Sequence, residues 1–218
     1  MSLVSAALLG LGLGVKHAFE ADHVAAVCTL VARRGSVARA ARFGALWGLG
    51  HGAVIILAGS ALVAVGARVP GPVAVALDAA VAVMLVGLGI TALRRSSIAP
   101  VLEQEDGHAH GHDQDHGGSS RRPILIGLVH GASGTAALTI LVATTIPERA
   151  EAFAFITLFG LASVVGMAAA AAVLAWPLRK AAEHAPAIAR GLRGMAGVGS
   201  IAAGVMVGWV ALMASSVG

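Results

Sequence analysis

The sequence predicts an all-α polytopic membrane protein with about six transmembrane helices, organised as an inverted 3+3 repeat. Three observations carry this expectation. Of the 218 residues, 57% are hydrophobic and 12% charged, whereas soluble domains run nearer half and a quarter. Six apolar segments recur, and each bilayer crossing needs about 20 residues. Basic residues concentrate in alternate loops. Mean hydropathy is +0.86, so a soluble globular fold is excluded. Glycine is plentiful at 29 residues, aromatics are 4% and tyrosine is absent. Such a composition suits membrane helices whose backbones approach closely at small residues.

The apolar segments fall at 3–31, 43–67, 72–93, 123–146, 152–177 and 194–216. They divide the chain into a first three-helix repeat (1–94), a His-rich cytoplasmic loop (95–122) and a second three-helix repeat (123–218). Pro70 and Pro72 mark the turn before the third span, Pro147 stops the fourth and Pro177 closes the fifth. Arg33, Arg34, Arg39 and Arg42 occupy loop 32–42; Arg94, Arg95, Arg121 and Arg122 flank loop 94–122; Arg179, Lys180, Arg190 and Arg193 occupy loop 178–193. The other two loops hold one arginine each, Arg68 and Arg149. Basic loops stay cytoplasmic, so a cytoplasmic-membrane location with both termini outside is expected. The N-terminus lacks the basic lead of a cleaved signal. The formal charge of +4 reports topology rather than nucleic-acid binding. Cys28, the single cysteine, precludes an internal disulfide framework and reads as a buried inert thiol.

The repeat is read from short matches. Gly14-Val15-Lys16-His17 aligns with Gly127-Leu128-Val129-His130, and Leu46-Trp47-Gly48-Leu49 with Leu158-Phe159-Gly160-Leu161. The offsets are 113 and 112. Val83-Met84 and Val205-Met206 form a weaker third match. Three spans per repeat is odd, so the second copy enters from the opposite face. Transporters with inverted repeats hold substrate near the midplane, between the repeats. Chance likeness between Ala/Gly/Leu/Val-rich helices is the competing explanation.

The informative stretch is Lys16-His17-Ala18-Phe19-Glu20-Ala21-Asp22-His23. A charge near the bilayer centre costs about 2.5–3.5 kcal/mol, so Glu20 and Asp22, ionised and unpaired, would cost roughly 6 kcal/mol. They are therefore expected to face the interior and find partners. Two imidazoles and two carboxylates so close together suit a divalent transition metal. On an ideal helix His17 stands about 140° from Asp22 and about 120° from His23. One straight helix cannot aim all three at one ion. Either the span is unwound here, as lining a cavity allows, or ligation and support are divided; a local break that frees backbone groups for the ion is the expectation. A salt bridge between Lys16 and Glu20 is the bland alternative.

His51 in the second span and His130 in the fourth are each followed by glycine, which permits close approach of a backbone or an ion. Both are candidates to complete the site, with Ser133 and Thr135 as supporting hydroxyls. Ordinary interhelical hydrogen bonding would explain them equally well. Asp78 reads as a solvated end of its span.

His17-x-x-x-x-Asp22-His23 resembles the signature of the nickel/cobalt transporter superfamily (NiCoT, or NicO), where H-x-x-x-x-D-H usually sits in R-H-A-x-D-A-D-H. Leu49-Gly50-His51-Gly52-Ala53-Val54-Ile55 looks like a second element, L-G-H-S-T-V-V. Gly127-Leu128-Val129-His130-Gly131 is similar to the six-span, UreH-like branch. The resemblance implies that His17, Asp22 and His23 bind the metal, with His51 and His130 less firmly implied. Glu20 stands where aspartate is usual, and Gly52 replaces a hydroxyl residue. The D-T-A-T-E element of eight-span members has its nearest match at Gly134-Thr135-Ala136-Ala137-Leu138, without either carboxylate.

His108, His110, His112 and His116 alternate with small or acidic residues. Such tracts bind metal by composition and are expected to be disordered without it. The loop is expected to receive an ion, hold it for a metallochaperone or a urease or hydrogenase maturation protein, or sense excess.

The leading expectation is a secondary transporter of Ni2+, with Co2+ as a second cargo, acting in uptake. The metal is cargo; no catalytic cofactor is expected, and the partners are lipid and the ion, not nucleic acid. No Walker A pattern is present. Efflux by the same superfamily is the nearest alternative. From another class, a zinc-dependent intramembrane hydrolase lacks H-E-x-x-H. A rhomboid-like protease would use Gly131-Ala132-Ser133-Gly134, but the sixth span has no histidine. Metal sensing or storage is a third possibility.

Overall fold

The computed structural model describes residues 1–31, 36–67, 69–102, 121–132, 139 and 142–216. Helices dominate, and no strand occurs among the described residues. They are α1 (Leu3–His17), α2 (Ala21–Val31), α3 (Val37–Val65), α4 (Gly71–Leu102), α5 (Arg121–Gly131), α6 (Arg149–His184) and α7 (Pro186–Ser216). Their boundaries have local causes. The Ser2 hydroxyl accepts from the Ser5 N–H at 3.1 Å, and the Ser36 hydroxyl from the Arg39 N–H at 3.2 Å. Both cap donors that a helix start leaves without partners. Gly66 ends α3 at φ 67°, a left-handed turn that glycine adopts without strain. Pro72 stands in the first turn of α4, where no amide donor is missed.

Four helices contain stretches long and apolar enough to cross a bilayer: Val37–Val65, Gly71–Arg94, Arg149–His184 and Ala187–Met213. Leu3–His17 and Ala21–Leu30 qualify together as a fifth, broken span bent by 50°. The expected span at 123–146 begins as α5, which ends at Gly131; residues 133–138 and 140–141 lie outside the described residues. The chain is thus a multi-pass helical membrane protein with four or five spans among the described residues.

Two expected boundaries need correction. Pro177 does not close the fifth span but lies inside α6. Residues 178–193 are not an open loop: α6 continues to His184 and α7 starts at Pro186. Hydropathy marks where a helix leaves lipid, not where its backbone ends, and α4 overruns its apolar segment in the same way. Cys28 is half-buried rather than buried, because an apolar run in a membrane protein also supplies the lipid-facing surface.

The helices interlock. α1 packs on α6, α5 on α3, α3 on α6, and α4 on α7. Glycines allow the close crossings. A Cβ at Gly14 would strike the Phe159 carbonyl, and one at Gly127 the Trp47 carbonyl. One core joins Phe43, Trp47, Val81, Leu85 and Met167; a second joins Ile55, Phe155, Ile156 and Phe159. Large apolar side chains such as Leu57, Val83, Val165, Trp176 and Trp209 point outward, as lipid contact requires.

At Gly44 an added Cβ would press on the Met167 carbonyl and reach the Ala171 Cβ at 2.7 Å. Gly44→Leu should therefore destabilise the α3–α6 crossing by about 1–3 kcal/mol, the usual cost of overpacking. Thermal unfolding in detergent checks this. Gly12→Leu, where a Cβ meets nothing within 4 Å, should melt close to the parent protein.

Candidate metal centre

The site begins at a break in the first span. Ala18, Phe19 and Glu20 separate α1 from α2. The Phe19 N–H donates to the Lys16 carbonyl and the Glu20 N–H to the His17 carbonyl, each at 3.0 Å. These tight turns satisfy the backbone locally and redirect the chain. The expected break is present, but the amides of Ala18, Phe19 and Glu20 are bonded to carbonyls of α1 rather than freed for an ion, and the side-chain contacts are divided. The break leaves His17 on the last turn of α1 and Asp22 and His23 on the first turn of α2. α3 brings His51 and α5 brings His130. The five residues converge although 108 positions separate Asp22 from His130.

His23, His51 and His130 are fully enclosed, while His17 is 3% and Asp22 8% exposed. The His17 Nδ1–H donates to Glu20 Oε2 at 2.9 Å. A neutral imidazole then keeps an acceptor at Nε2, which lies 3.0 Å from His51 Nε2. Asp22 Oδ1 accepts from the His23 backbone N–H and from His23 Nδ1–H, both at 2.9 Å. Asp22 Oδ2 accepts from His130 Nε2–H at 3.1 Å. His23 Nε2 and His51 Nδ1 are buried without a hydrogen-bond partner, and such a burial ordinarily costs about 1–3 kcal/mol.

Donor atoms of His17, His23 and His51 lie within 4.8 Å of one another, as do those of Asp22, His23 and His130. The two sets have His23 in common. Nitrogen–metal bonds of about 2.0–2.1 Å place adjacent donors about 2.9–3.4 Å apart. The spacings of 3.0 Å between His17 and His51 and 3.1 Å between Asp22 and His130 fall in that range.

Glu20 touches the cluster through His17 and not through Lys16, so the simple Lys16–Glu20 salt bridge is not formed. Lys16 itself is exposed. Ser133, Thr135, His108, His110, His112 and His116 lie outside the described residues.

Three contacts were not read as part of the site. Trp47 stacks on His23 with ring centres 5.7 Å apart, and meets His130 edge-on at 5.5 Å. Phe159 lies 5.2 Å from His17. The Ser163 hydroxyl sits 2.8 Å from the Phe159 carbonyl and 3.3 Å from that of Gly14, tying α6 to α1. Trp47 and Phe159 occupy paired positions of the expected repeat, the one hint of them that the sequence carried.

No family model and no solved structure matches the chain. It is 30% identical over 178 residues to a protein described as urease accessory protein UreH from Bacillus sp. (strain TB-90), an alignment covering 77% of this chain and 75% of that one. With that likeness spread over most of both sequences, and with the imidazole–carboxylate cluster assembled from the motif residues, the chain belongs to the UreH-like nickel/cobalt transporter family.

Proposed function

We propose that this protein is a secondary transporter that takes Ni2+, with Co2+ as a second cargo, across the cytoplasmic membrane. The carrying observation is the enclosed pair of imidazole nitrogens at His17 and His51, 3.0 Å apart, beside the unpartnered His23 Nε2. Such a donor set suits a borderline divalent ion. The urease-accessory name of the relative and the motif likeness favour nickel and uptake. On the same reading the cytoplasmic partner is a urease-maturation protein or metallochaperone.

In this reading His17, His23, His51, Asp22 and His130 hold the ion in turn or together. Glu20 orients His17, and Asp22 orients His23. Carboxylate partners of this kind fix the tautomer and raise the basicity of the ligand. Binding displaces the proton shared between His17 and His51, since a metal needs the nitrogen lone pairs.

The packing supports the six-span inverted repeat. α1 on α6 and α5 on α3 are the same crossing exchanged between halves, and the Gly14–Phe159 and Gly127–Trp47 approaches repeat within it. α1 ends at His17 and α5 at Gly131, one residue past the aligned His130. The N-terminal ammonium lies 3.5 Å from Glu151 at the start of α6. This supports the N-terminus and that loop sharing one face, as the basic-loop pattern predicts. The two halves are expected to rock about the site; because each crossing takes one helix from each half, the break between α1 and α2 is where that movement is most easily absorbed.

Flux of radioactive Ni2+ into proteoliposomes of known orientation tests the function. His17→Ala and His23→Ala should each cut flux at least tenfold; wild-type flux in both variants would remove the site assignment. Influx from the face bearing the N-terminus is expected, and transport only in the opposite sense would make the protein an exporter.

Glu20→Gln keeps the shape of the side chain but loses its charge. Nickel affinity should fall about 10–100-fold, as for other carboxylates behind a histidine ligand, without a comparable change in melting temperature.

Trp47 offers a direct readout, since Trp176 and Trp209 are exposed on the outer surface and Trp47 is enclosed. With Trp176→Phe and Trp209→Phe in place, Ni2+ should quench the remaining fluorescence saturably. The quenching should vanish in His23→Ala.

A further inference from the structure

We propose that the five ligands form two adjacent ion stations sharing His23, and that the ion crosses the site by ligand exchange about this one imidazole. The inference rests on the transport reading above. Station one is His17, His23 and His51; station two is Asp22, His23 and His130.

The geometry points to two positions rather than one. Each station contains a donor pair at the spacing of neighbouring ligands on a single ion, 3.0 Å between His17 and His51 and 3.1 Å between Asp22 and His130. The two pairs use different atoms and stand on different helices. The His51 and His130 rings are 6.1 Å apart, whereas His23 is 5.0 Å from the first and 4.3 Å from the second. His23 is therefore nearer to each than they are to one another. Its ring is held by Trp47 stacked at 26° and by Asp22 at Nδ1.

The stations differ in chemistry. Station one offers three imidazoles, and station two offers two imidazoles and a carboxylate. Nitrogen suits late divalent metals, and the harder oxygen weakens that preference. An ion must bind well enough to enter and loosely enough to leave, which several neighbouring sites achieve better than one deep site. Sharing His23 lets the ion exchange two ligands while a third remains within reach, so it is never left bare in a low-dielectric interior. The stations also differ in origin. His17, His23 and His51 all come from the first three helices in sequence after the break is counted, α1 to α3, while station two needs α5 as well.

The test uses the full-length protein with Co2+ as an optical probe and Ni2+ for flux. His51→Asn removes station one and His130→Asn removes station two; His17→Asn is a second variant of station one should His51→Asn fail to fold. Each folded single variant should still bind one Co2+, with affinity within about tenfold of wild type. Their ligand-field spectra should differ from one another, richer in nitrogen character for His130→Asn. Ni2+ flux should fall at least a hundredfold in each, and the His51→Asn/His130→Asn double variant should bind no Co2+. Loss of Co2+ binding in both stations' single variants alike would show one shared site and overturn the relay while leaving transport intact. Wild-type flux in any folded single variant would also overturn it. A wild-type protein that neither binds Co2+ nor moves Ni2+ would remove the transport reading and the relay with it.

Discussion

A carboxylate enclosed in a membrane protein needs every lone-pair direction it can fill, and Asp22 organises the centre by filling its own. It accepts the His23 backbone and side-chain donors on one oxygen and the His130 ring on the other. Hydrogen bonds to a charged group contribute about 1.5–3 kcal/mol each, comparable with the 2.5–3.5 kcal/mol insertion cost of such a charge. The contacts therefore offset the penalty and fix two imidazoles at once. Glu20 and His17 repeat the device at the end of α1. Without these partners the histidines would sample other rotamers, and the approach of His17 to His51 would not be defined.

That arrangement depends on the crossings behind it. His51 sits on α3 where Gly131 of α5 passes so near that a Cβ would come 2.5 Å from the His51 carbonyl. His17 follows Gly14, whose approach to Phe159 sets α1 against α6. Lipid gives no hydrophobic drive for helix association, so close van der Waals contact must supply it. Small residues are consequently placed one turn or less from the candidate ligands His17 and His130. The glycine content of the sequence and the precision of the donor distances have the same origin.

Much of this was legible in the sequence, unevenly. The cost of burying Glu20, Asp22 and the histidines in an apolar chain identified the candidate donors, and the angular arithmetic around His17 left either a break or a division of roles among them. The structure places that break at 18–20 and brings in His51 and His130. The sequence could not reveal that Asp22 spends both oxygens on histidines, because this depends on which rotamers α3 and α5 leave open. Trp47 escaped notice since an aromatic in an apolar span is ordinarily core, and stacking on His23 is visible only in three dimensions. The helix ends at Leu102 and Pro186 were missed for a different reason: charged and proline-containing segments can remain helical once outside lipid.

A continuous helix through residues 3–31 would satisfy its backbone but scatter His17, Asp22 and His23 around its circumference. Breaking it at 18–20 costs little, because Phe19 and Glu20 still donate to carbonyls one turn back. The break gains convergence of the donors and a joint about which α1 can turn relative to α2. α5 ends at Gly131, and the Ala132 N–H donates to the Val129 carbonyl at 3.3 Å. The interlocked crossings α1–α6 and α3–α5 hold the scaffold, so motion is most cheaply absorbed where helical hydrogen bonding is already interrupted. That interruption adjoins His17, which shares its donor set with His51 of α3, while the end of α5 adjoins His130, which shares its set with Asp22. Small rotations there would alter one set of contacts while leaving the packed glycine crossings undisturbed.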